Sequence, residues 1–122
     1  MAHVRKETHR SGQVTLDVNG NGTITIYPDP YWDEWIVTRV PVRTNQPAGS
    51  FPVPSANVWL NDPLVPDNHH GGTRDGDLDV GTGRVPVGSD DVLLVVFTGG
   101  RAGDIAYATA WGFYTRQTGW PG

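Results

Sequence analysis

Apolar and polar residues alternate with a period of two along much of the chain. The alternation runs from Val14 to Val18 and resumes at Ile24 and Ile26, after an Asn-Gly-Asn-Gly sequence at residues 19–22. A period of two is the pattern of a half-buried strand, and Asn-Gly tolerates the positive φ that a two-residue hairpin turn needs. The pattern therefore predicts a hairpin in this part of the chain.

Further strands are predicted between Pro- and Gly-rich turns. They cover residues 35–43, 56–60, 78–80, 92–97 and 105–114. In the first of them, Ile36, Val40 and Val42 share one predicted face. The unbroken apolar run at 92–97 is typical of a strand at the centre of a sheet. No stretch shows the helical period, so we expect no helix.

The last predicted strand has two unlike faces. Tyr107 and Trp111 belong to a face of large residues, and Ala106 and Ala108 to a face of small ones. A large face can fill a core, whereas a small face lets another layer approach closely. The pattern leaves open which face points inward, although we expect Trp111 and Trp35 to lie in the core.

These elements predict an all-β fold, an antiparallel β-sandwich of about seven or eight strands that is Ig-like or jelly-roll-like. The 122 residues fit one domain. Residues 1–11 are predicted to be a flexible N-terminal arm, residues 12–118 the sandwich and residues 119–122 a C-terminal tail. The polar stretch up to Gly12 has no apolar region, so no signal peptide is expected.

Composition and charge narrow the classes of function. Nine Lys and Arg against thirteen Asp and Glu give a net charge of −4, without a basic stripe, so nucleic acid is not an expected partner. No stretch approaches the roughly 20 apolar residues of a membrane helix, so no membrane partner is expected. The absence of cysteine excludes disulfides and thiolate metal sites.

No constellation in the sequence indicates catalysis. None of the serines lies in a G-x-S-x-G elbow, and the only Glu residues, Glu7 and Glu34, give no clear pair of catalytic carboxylates. The Gly99-Gly100 pair links two predicted strands and is interpreted as a hairpin turn, not a phosphate-binding loop. We therefore expect no enzyme, no catalytic residue and no cofactor.

Asp75, Asp77 and Asp79 are the weak candidates for a metal site. Three carboxylates at this spacing can bind Ca²⁺ on a tight loop, but no Glu follows them in the chain. In a strand they would line the solvent face instead. His69 and His70 are adjacent and would point apart on an extended chain, so no metal site is predicted.

Tyr31, Trp32 and Trp59 are candidates for an interface or for stacking on a ligand. Trp59 is predicted to point away from the apolar face of its strand. Exposed Trp and Tyr can stack on sugar rings or anchor a protein interface. The alternative is that these residues cover the ends of the core.

Six segments, taken in order, carry a resemblance to known proteins. They are Gln13-Val14-Thr15-Leu16-Asp17, Asn19-Gly20-Asn21-Gly22-Thr23, Trp35-Ile36-Val37-Thr38-Arg39-Val40, Ala56-Asn57-Val58-Trp59-Leu60, Gly76-Asp77-Leu78-Asp79, and Val95-Val96-Phe97-Thr98-Gly99-Gly100 with Ala102-Gly103. With these strand and turn patterns the chain resembles small β-sandwich virion accessory proteins of tailed phages, especially phages that infect actinobacteria.

The resemblance implies a structural role in the virion. The first expectation is a capsid decoration or cement protein that binds the assembled capsid surface and bridges its subunits. Its partners would be the major capsid protein and copies of itself, with a trimer as the favoured homo-oligomer. The alternative is a minor tail protein for host adsorption, which could bind a host surface glycan through exposed Trp or Tyr. A free carbohydrate-binding module is a third, less favoured class.

The predicted arm offers a means of attachment to the virion. Arg5, Lys6 and Arg10 are its basic residues. An arm that orders on binding loses entropy but can reach across a subunit boundary. We expect these three residues to contribute to attachment on a neighbouring chain.

Overall fold

A computed structural model describes residues 2–28, 34–46, 54–63, 69–73, 79–80, 85–88 and 90–118, with the backbone alone described at 2–8, 69–73, 79–80 and 115–118. These residues form nine β-strands and no helix. The strands are β1 (Ala2–Thr15), β2 (Gly22–Ile26), β3 (Glu34–Thr44), β4 (Ser55–Leu60), β5 (His69–Thr73), β6 (Asp79–Val80), β7 (Val85–Gly88), β8 (Leu93–Thr98) and β9 (Ile105–Thr118).

The strands form two antiparallel sheets. The first sheet has the order β1-β9-β3, and β3 then pairs with β7 along its first half and with β6 along its second. The second sheet has the order β2-β8-β4-β5. This confirms the predicted all-β sandwich.

The strand order also selects one of the two predicted architectures. β1 pairs with β9, β2 with β8, β3 with β7, and β4 with β5, so the chain is one long antiparallel hairpin. Rolling that hairpin brings β9 beside β3 and β8 beside β4. β6 and β7 pair with different halves of β3 and therefore occupy one position in the first sheet. The nine strands thus fill eight positions, four in each sheet, which is the arrangement of a jelly roll.

The core lies between the two sheets. Ile24 and Ile26 are buried, as predicted, and Trp35 is fully buried with its ring stacked on Tyr114 at 5.6 Å between centroids. Leu93, together with other apolar residues of β8, is buried as well. Since β8 lies between β2 and β4, the prediction of a central strand at 92–97 is confirmed.

The prediction that Ile36 shares a face with Val40 and Val42 is wrong. Trp35 and Val37 are buried in the first half of β3, whereas Ile36 is half-buried. The β3–β9 register shifts by one residue just after Val37. Such a bulge reverses the parity of the strand, so Val40 and Val42 are buried although they differ in parity from Val37.

The two predicted hairpins are also wrong. Residues 17–21 carry the chain from β1 to β2 in the other sheet, and Gly99-Gly100 leads from β8 to β9 in the same manner. The N–H of Gly100 donates to the carbonyl of Gly20 at 2.9 Å, so the two crossings lie side by side. Turn residues specify that the chain reverses, not which strand becomes the partner.

The predicted arm is part of the first sheet. Residues 2–11 continue β1, and the pairing of β1 with β9 is continuous from Ala2 with Thr118 to Thr15 with Ile105. Backbone N–H and C=O groups make this ladder, so a polar sequence without periodicity can still complete it. The predicted tail at 119–122 lies outside the described residues.

Two strands arise where the sequence predicted irregular structure. β5 lies between the predicted strands 56–60 and 78–80 and pairs with β4. β7 lies between the predicted strands 78–80 and 92–97, and its Val85 and Val87 are fully buried. Both strands are short and rich in Gly or Pro, so their own patterns are too weak to reveal them.

Candidate functional site

The outer face of β9 is the most distinctive surface of the molecule. Ala106, Ala108 and Ala110 are buried, whereas Tyr107 is half-buried and Trp111 is 40% exposed. The small residues therefore face the core and the large residues face outward, which answers the question left open by the pattern. The prediction that Trp111 belongs to the core is wrong.

Trp111 is held between two side chains from the neighbouring strands. His9 of β1 and Arg39 of β3 both lie opposite Trp111 in the strand register. The rings of His9 and Trp111 are 4.5 Å apart between centroids, with their planes at 36°. The Cζ atom of Arg39 lies over the Trp111 ring, 5.8 Å from its centroid. Because β1 and β3 flank β9 on opposite sides, the two side chains contact the ring from opposite sides.

A second aromatic residue repeats this arrangement four residues away. The Cζ atom of Arg43 lies 5.0 Å from the centroid of the Tyr107 ring. Gln13 of β1 is opposite Tyr107 in the register and is exposed. Four residues along a strand span about 13 Å, so Trp111 and Tyr107 form two aromatic rows, each with an Arg on its β3 side.

Two shallow depressions lie beside these aromatic residues. One has a volume of about 220 Å³ and runs along β3 and β9; its lining is Pro41, Val42, Arg43, Tyr107, Thr109 and Trp111. The other has a volume of about 440 Å³ and includes Ser11, Gln13, Arg43 and Tyr107. The face is therefore a broad, slightly grooved surface of aromatic, cationic and hydroxyl groups. We call the surface formed by His9, Gln13, Arg39, Arg43, Tyr107 and Trp111 the aromatic face.

The charges of the chain are unevenly distributed between the three strands β1, β3 and β9 and the rest of the chain. β1, β3 and β9 contain six of the nine Lys and Arg residues but two of the thirteen Asp and Glu residues, a formal charge of +4. The remainder contains three basic and eleven acidic residues, a formal charge of −8. The aromatic face thus lies on three strands that are basic as a group in an acidic protein.

Of the three aromatic candidates from the sequence, the structure describes Trp59. Trp59 lies in β4 on the outer side of the second sheet and is half-buried, away from the aromatic face. Tyr31 and Trp32 lie outside the described residues. The structure therefore does not group Trp59 with Trp111.

Of the attachment candidates, Arg10 is exposed and pairs in the register with Ala110 of β9. Arg5 and Lys6 lie in β1, where the backbone alone is described. All three therefore belong to the edge strand of the first sheet.

The metal candidates stay a sequence-based hypothesis. Asp79 begins β6, with its backbone alone described, and Asp75 and Asp77 lie outside the described ranges. Among the side chains that the structure describes, no three His, Asp or Glu residues come together as possible metal ligands.

The sequence pattern alone does not mark most residues of the aromatic face. Arg39 and Arg43 are four residues apart on a predicted strand, as are Tyr107 and Trp111. The equal spacing of the two Arg residues and of the two aromatic residues is the feature of the sequence that indicates this surface. It becomes meaningful only when β3 and β9 are known to be neighbours.

Comparison with models of known protein families gives no match to this chain. Comparison with curated proteins gives no significant similarity either. In the described part of the chain, no helix is long and apolar enough to cross a membrane.

Proposed function

We propose that this chain is a structural protein of a tailed-phage virion that binds the assembled capsid surface and bridges its subunits. The resemblance of its strand and turn segments to small virion accessory proteins supports this proposal. The jelly-roll architecture is in keeping with it, since viral capsid domains use that fold. Fold alone does not imply function, so the proposal depends on a surface that can bind protein.

The observation that carries the proposal is the row His9–Trp111–Arg39. Trp, Tyr and Arg are the residues that most often supply binding energy in protein interfaces. Trp111 is exposed yet held on both sides by neighbours, so it would lose little side-chain freedom on binding. A sheet face of this kind suits a flat contact with a rigid capsid.

The proposed role is not catalytic. A cement protein adds buried area between subunits and needs no reacting group. The polar groups on the aromatic face are arranged beside aromatic rings, as Arg43 is beside Tyr107, and not as a nucleophile with a base. This arrangement favours binding over chemistry.

The test uses phage particles from which the gene for this chain has been deleted. Purified protein is added back, and cryo-electron microscopy locates the added density. We expect density at regular positions on the capsid lattice and binding that saturates at a fixed ratio. Density confined to the tail, or no rebinding at all, would overturn the proposal.

Two variants connect the binding to the aromatic face. Trp111→Ala should weaken capsid binding at least about tenfold, as expected for an interface hot spot. Tyr27→Ala is the matched control, because Tyr27 is an exposed aromatic residue at the end of β2 in the other sheet. Equal binding by both variants would show that the aromatic face does not make the contact.

A second candidate function is that of a minor tail protein which adsorbs to host glycans. Sugar stacking needs an aromatic ring with a free face. Trp111 is contacted from both sides, but Tyr27 is 62% exposed and offers such a ring. In this case Tyr27→Ala, and not Trp111→Ala, should abolish binding to host cell-wall polysaccharide.

A further inference from the structure

The charge separation within this molecule makes one of its own surfaces complementary to another. The aromatic face presents Arg39 and Arg43 from the middle and end of β3. Both are exposed, and strands β1, β3 and β9 together carry a formal charge of +4. A surface of this sign favours an acidic partner, and opposite potentials both steer and select an encounter.

An acidic surface lies at one end of the sandwich, where β4 ends and β8 begins. Asn61 and Asp91 join these two segments through a hydrogen bond of 3.0 Å between Asn61 Nδ2 and Asp91 Oδ1. Asp62 follows Asn61 and Asp90 precedes Asp91 in the sequence, and both are exposed. We call Asp62, Asp90 and Asp91 the acidic end.

We propose that the aromatic face of one copy of this chain docks the acidic end of a second copy. The contact is heterologous, because it joins two different surfaces. Repeating it around an axis gives a closed ring when the rotation closes. A trimer is the smallest ring in which every contact is heterologous, and it is the homo-oligomer that the resemblance to virion accessory proteins implies.

A second copy is a better occupant than a nucleic acid. Bases bind to aromatic protein surfaces by stacking on an open ring face, whereas Trp111 is contacted by His9 on one side and by Arg39 on the other. The acidic carboxylates of a second copy need only the outward guanidinium groups and the ring edge, whose hydrogens carry partial positive charge.

The first experiment measures the mass of the purified protein by sedimentation velocity over a range of concentrations and salt. The monomer has a mass of 13.3 kDa. We expect a small multiple of this mass at low salt and dissociation as salt screens the contact. A monomer at every concentration and salt would overturn the inference.

The second experiment compares two pairs of substitutions with the same change in net charge. Arg39→Gln with Arg43→Gln should raise the dissociation constant of the oligomer at least about tenfold. Thr23→Glu with Thr25→Glu also lowers the charge by two, but on the exposed face of β2 in the other sheet, and should leave association unchanged. An equal effect of both pairs would show a response to net charge alone and overturn the inference.

The third experiment is a charge exchange between the two surfaces. Arg39→Glu with Arg43→Glu gives one variant, and Asp62→Lys with Asp90→Lys gives the other; Asp91 is retained because it accepts hydrogen bonds from Asn61 and from the N–H of Gly88. Each variant alone should stay monomeric, and their mixture should associate into species that contain the two variants in equal numbers, because the face of each variant is complementary only to the charged end of the other. Circular dichroism of each variant confirms that it is folded.

Three results would contradict this contact in different ways. Association that survives every substitution would point to pairing along the edge of β1. A mixture that stays monomeric while both variants are folded would exclude the contact of face with acidic end. If the wild-type protein is monomeric and the variant Arg39→Gln with Arg43→Gln loses capsid binding, the aromatic face would instead bind an acidic capsid surface.

The inference is independent of the proposed virion role, since the three experiments above need only the purified chain.

Discussion

Gly112 of β9 and Ile36 of β3 meet backbone to backbone. A Cβ atom at position 112 would lie 2.0 Å from the carbonyl oxygen of Ile36. The contact is next to the bulge of β3, where Val37 is paired with Gly112 and the register then shifts. A bulge bends its strand, and glycine is the residue that permits such close approach of two backbones.

Gly112→Ala should therefore be strongly destabilising, because the backbone of β3 cannot move aside as a flexible side chain can. We expect a loss of about 3 kcal/mol or more in the free energy of unfolding, measured by urea denaturation. Gly99→Ala is the control: its φ is 74°, but no atom lies within 4 Å of the added Cβ. This control should cost about 1 kcal/mol, and an equal loss for both variants would contradict the close-contact explanation.

Asn61 closes the end of the sandwich through its side chain and its backbone conformation. Its φ is 64°, its Nδ2 donates to Asp91, and its Oδ1 accepts from the N–H of Val92 at 2.9 Å. Asn61→Ala should lower the free energy of unfolding by about 2 kcal/mol, because the substitution removes both side-chain hydrogen bonds and alanine tolerates positive φ poorly. Asn61→Gly keeps the conformation and should lose about half as much. Thermal unfolding distinguishes them, and identical losses would show that the conformation contributes nothing.

The indole Nε1 of Trp35 is buried and has no hydrogen-bond partner. Replacing Trp35 with Phe removes this donor but retains a ring that can stack on Tyr114. We therefore expect the free energy of unfolding to fall by less than about 1.5 kcal/mol. Trp35→Ala leaves a cavity and should cost about 3–5 kcal/mol. Guanidinium denaturation followed by circular dichroism measures both variants. A Phe variant as unstable as the Ala variant would indicate that the indole N–H contributes a needed interaction.

Arg39 and Trp111 should be energetically coupled in the free protein. A double-mutant cycle with Arg39→Ala and Trp111→Ala should give a coupling of about 0.5–1 kcal/mol, the usual range for a partly exposed cation–π pair. The same cycle with Arg43 in place of Arg39 is the control, because Arg43 lies over Tyr107 instead. A coupling for Arg39 no larger than that for Arg43 would exclude the proposed arrangement around Trp111.

Deleting residues 1–8 tests whether the N-terminal segment is an arm or a strand. In the structure residues 2–8 pair with Gly112–Thr118 of β9. Their removal should lower the free energy of unfolding by about 2 kcal/mol through lost ladder hydrogen bonds and speed amide exchange in that part of β9. Deletion of residues 119–122 serves as the comparison. An unchanged stability after the first deletion would favour the independent arm that the sequence predicts.

The period-two pattern was sufficient for the fold class and for several inner faces. Ile24, Ile26 and Val58 alternate with polar residues and are buried in the structure. The apolar run around Val95 predicted a central strand, and β8 is central in its sheet. These predictions succeed because the alternation of side chains is a local property of an extended backbone.

The period-two pattern gave wrong predictions wherever the pairing between strands determines the local structure. The bulge in β3 reversed the parity after Val37, and nothing in the sequence around it marks the extra residue. The glycines near Gly20 and Gly100 predicted hairpins, but each turn joins the two sheets. A polar N-terminal segment became a strand because β9 extends to Thr118 and supplies its backbone partners.

The sequence by itself determined that this protein is an all-β sandwich without cysteine and with an acidic net charge. The tertiary structure alone decided that the small face of β9 is buried and that Trp111 is exposed between His9 and Arg39. The physical reason is that strand pairing is a long-range choice made by the backbone. Residues 9, 39 and 111 become neighbours only when the rolled hairpin brings β1, β9 and β3 together.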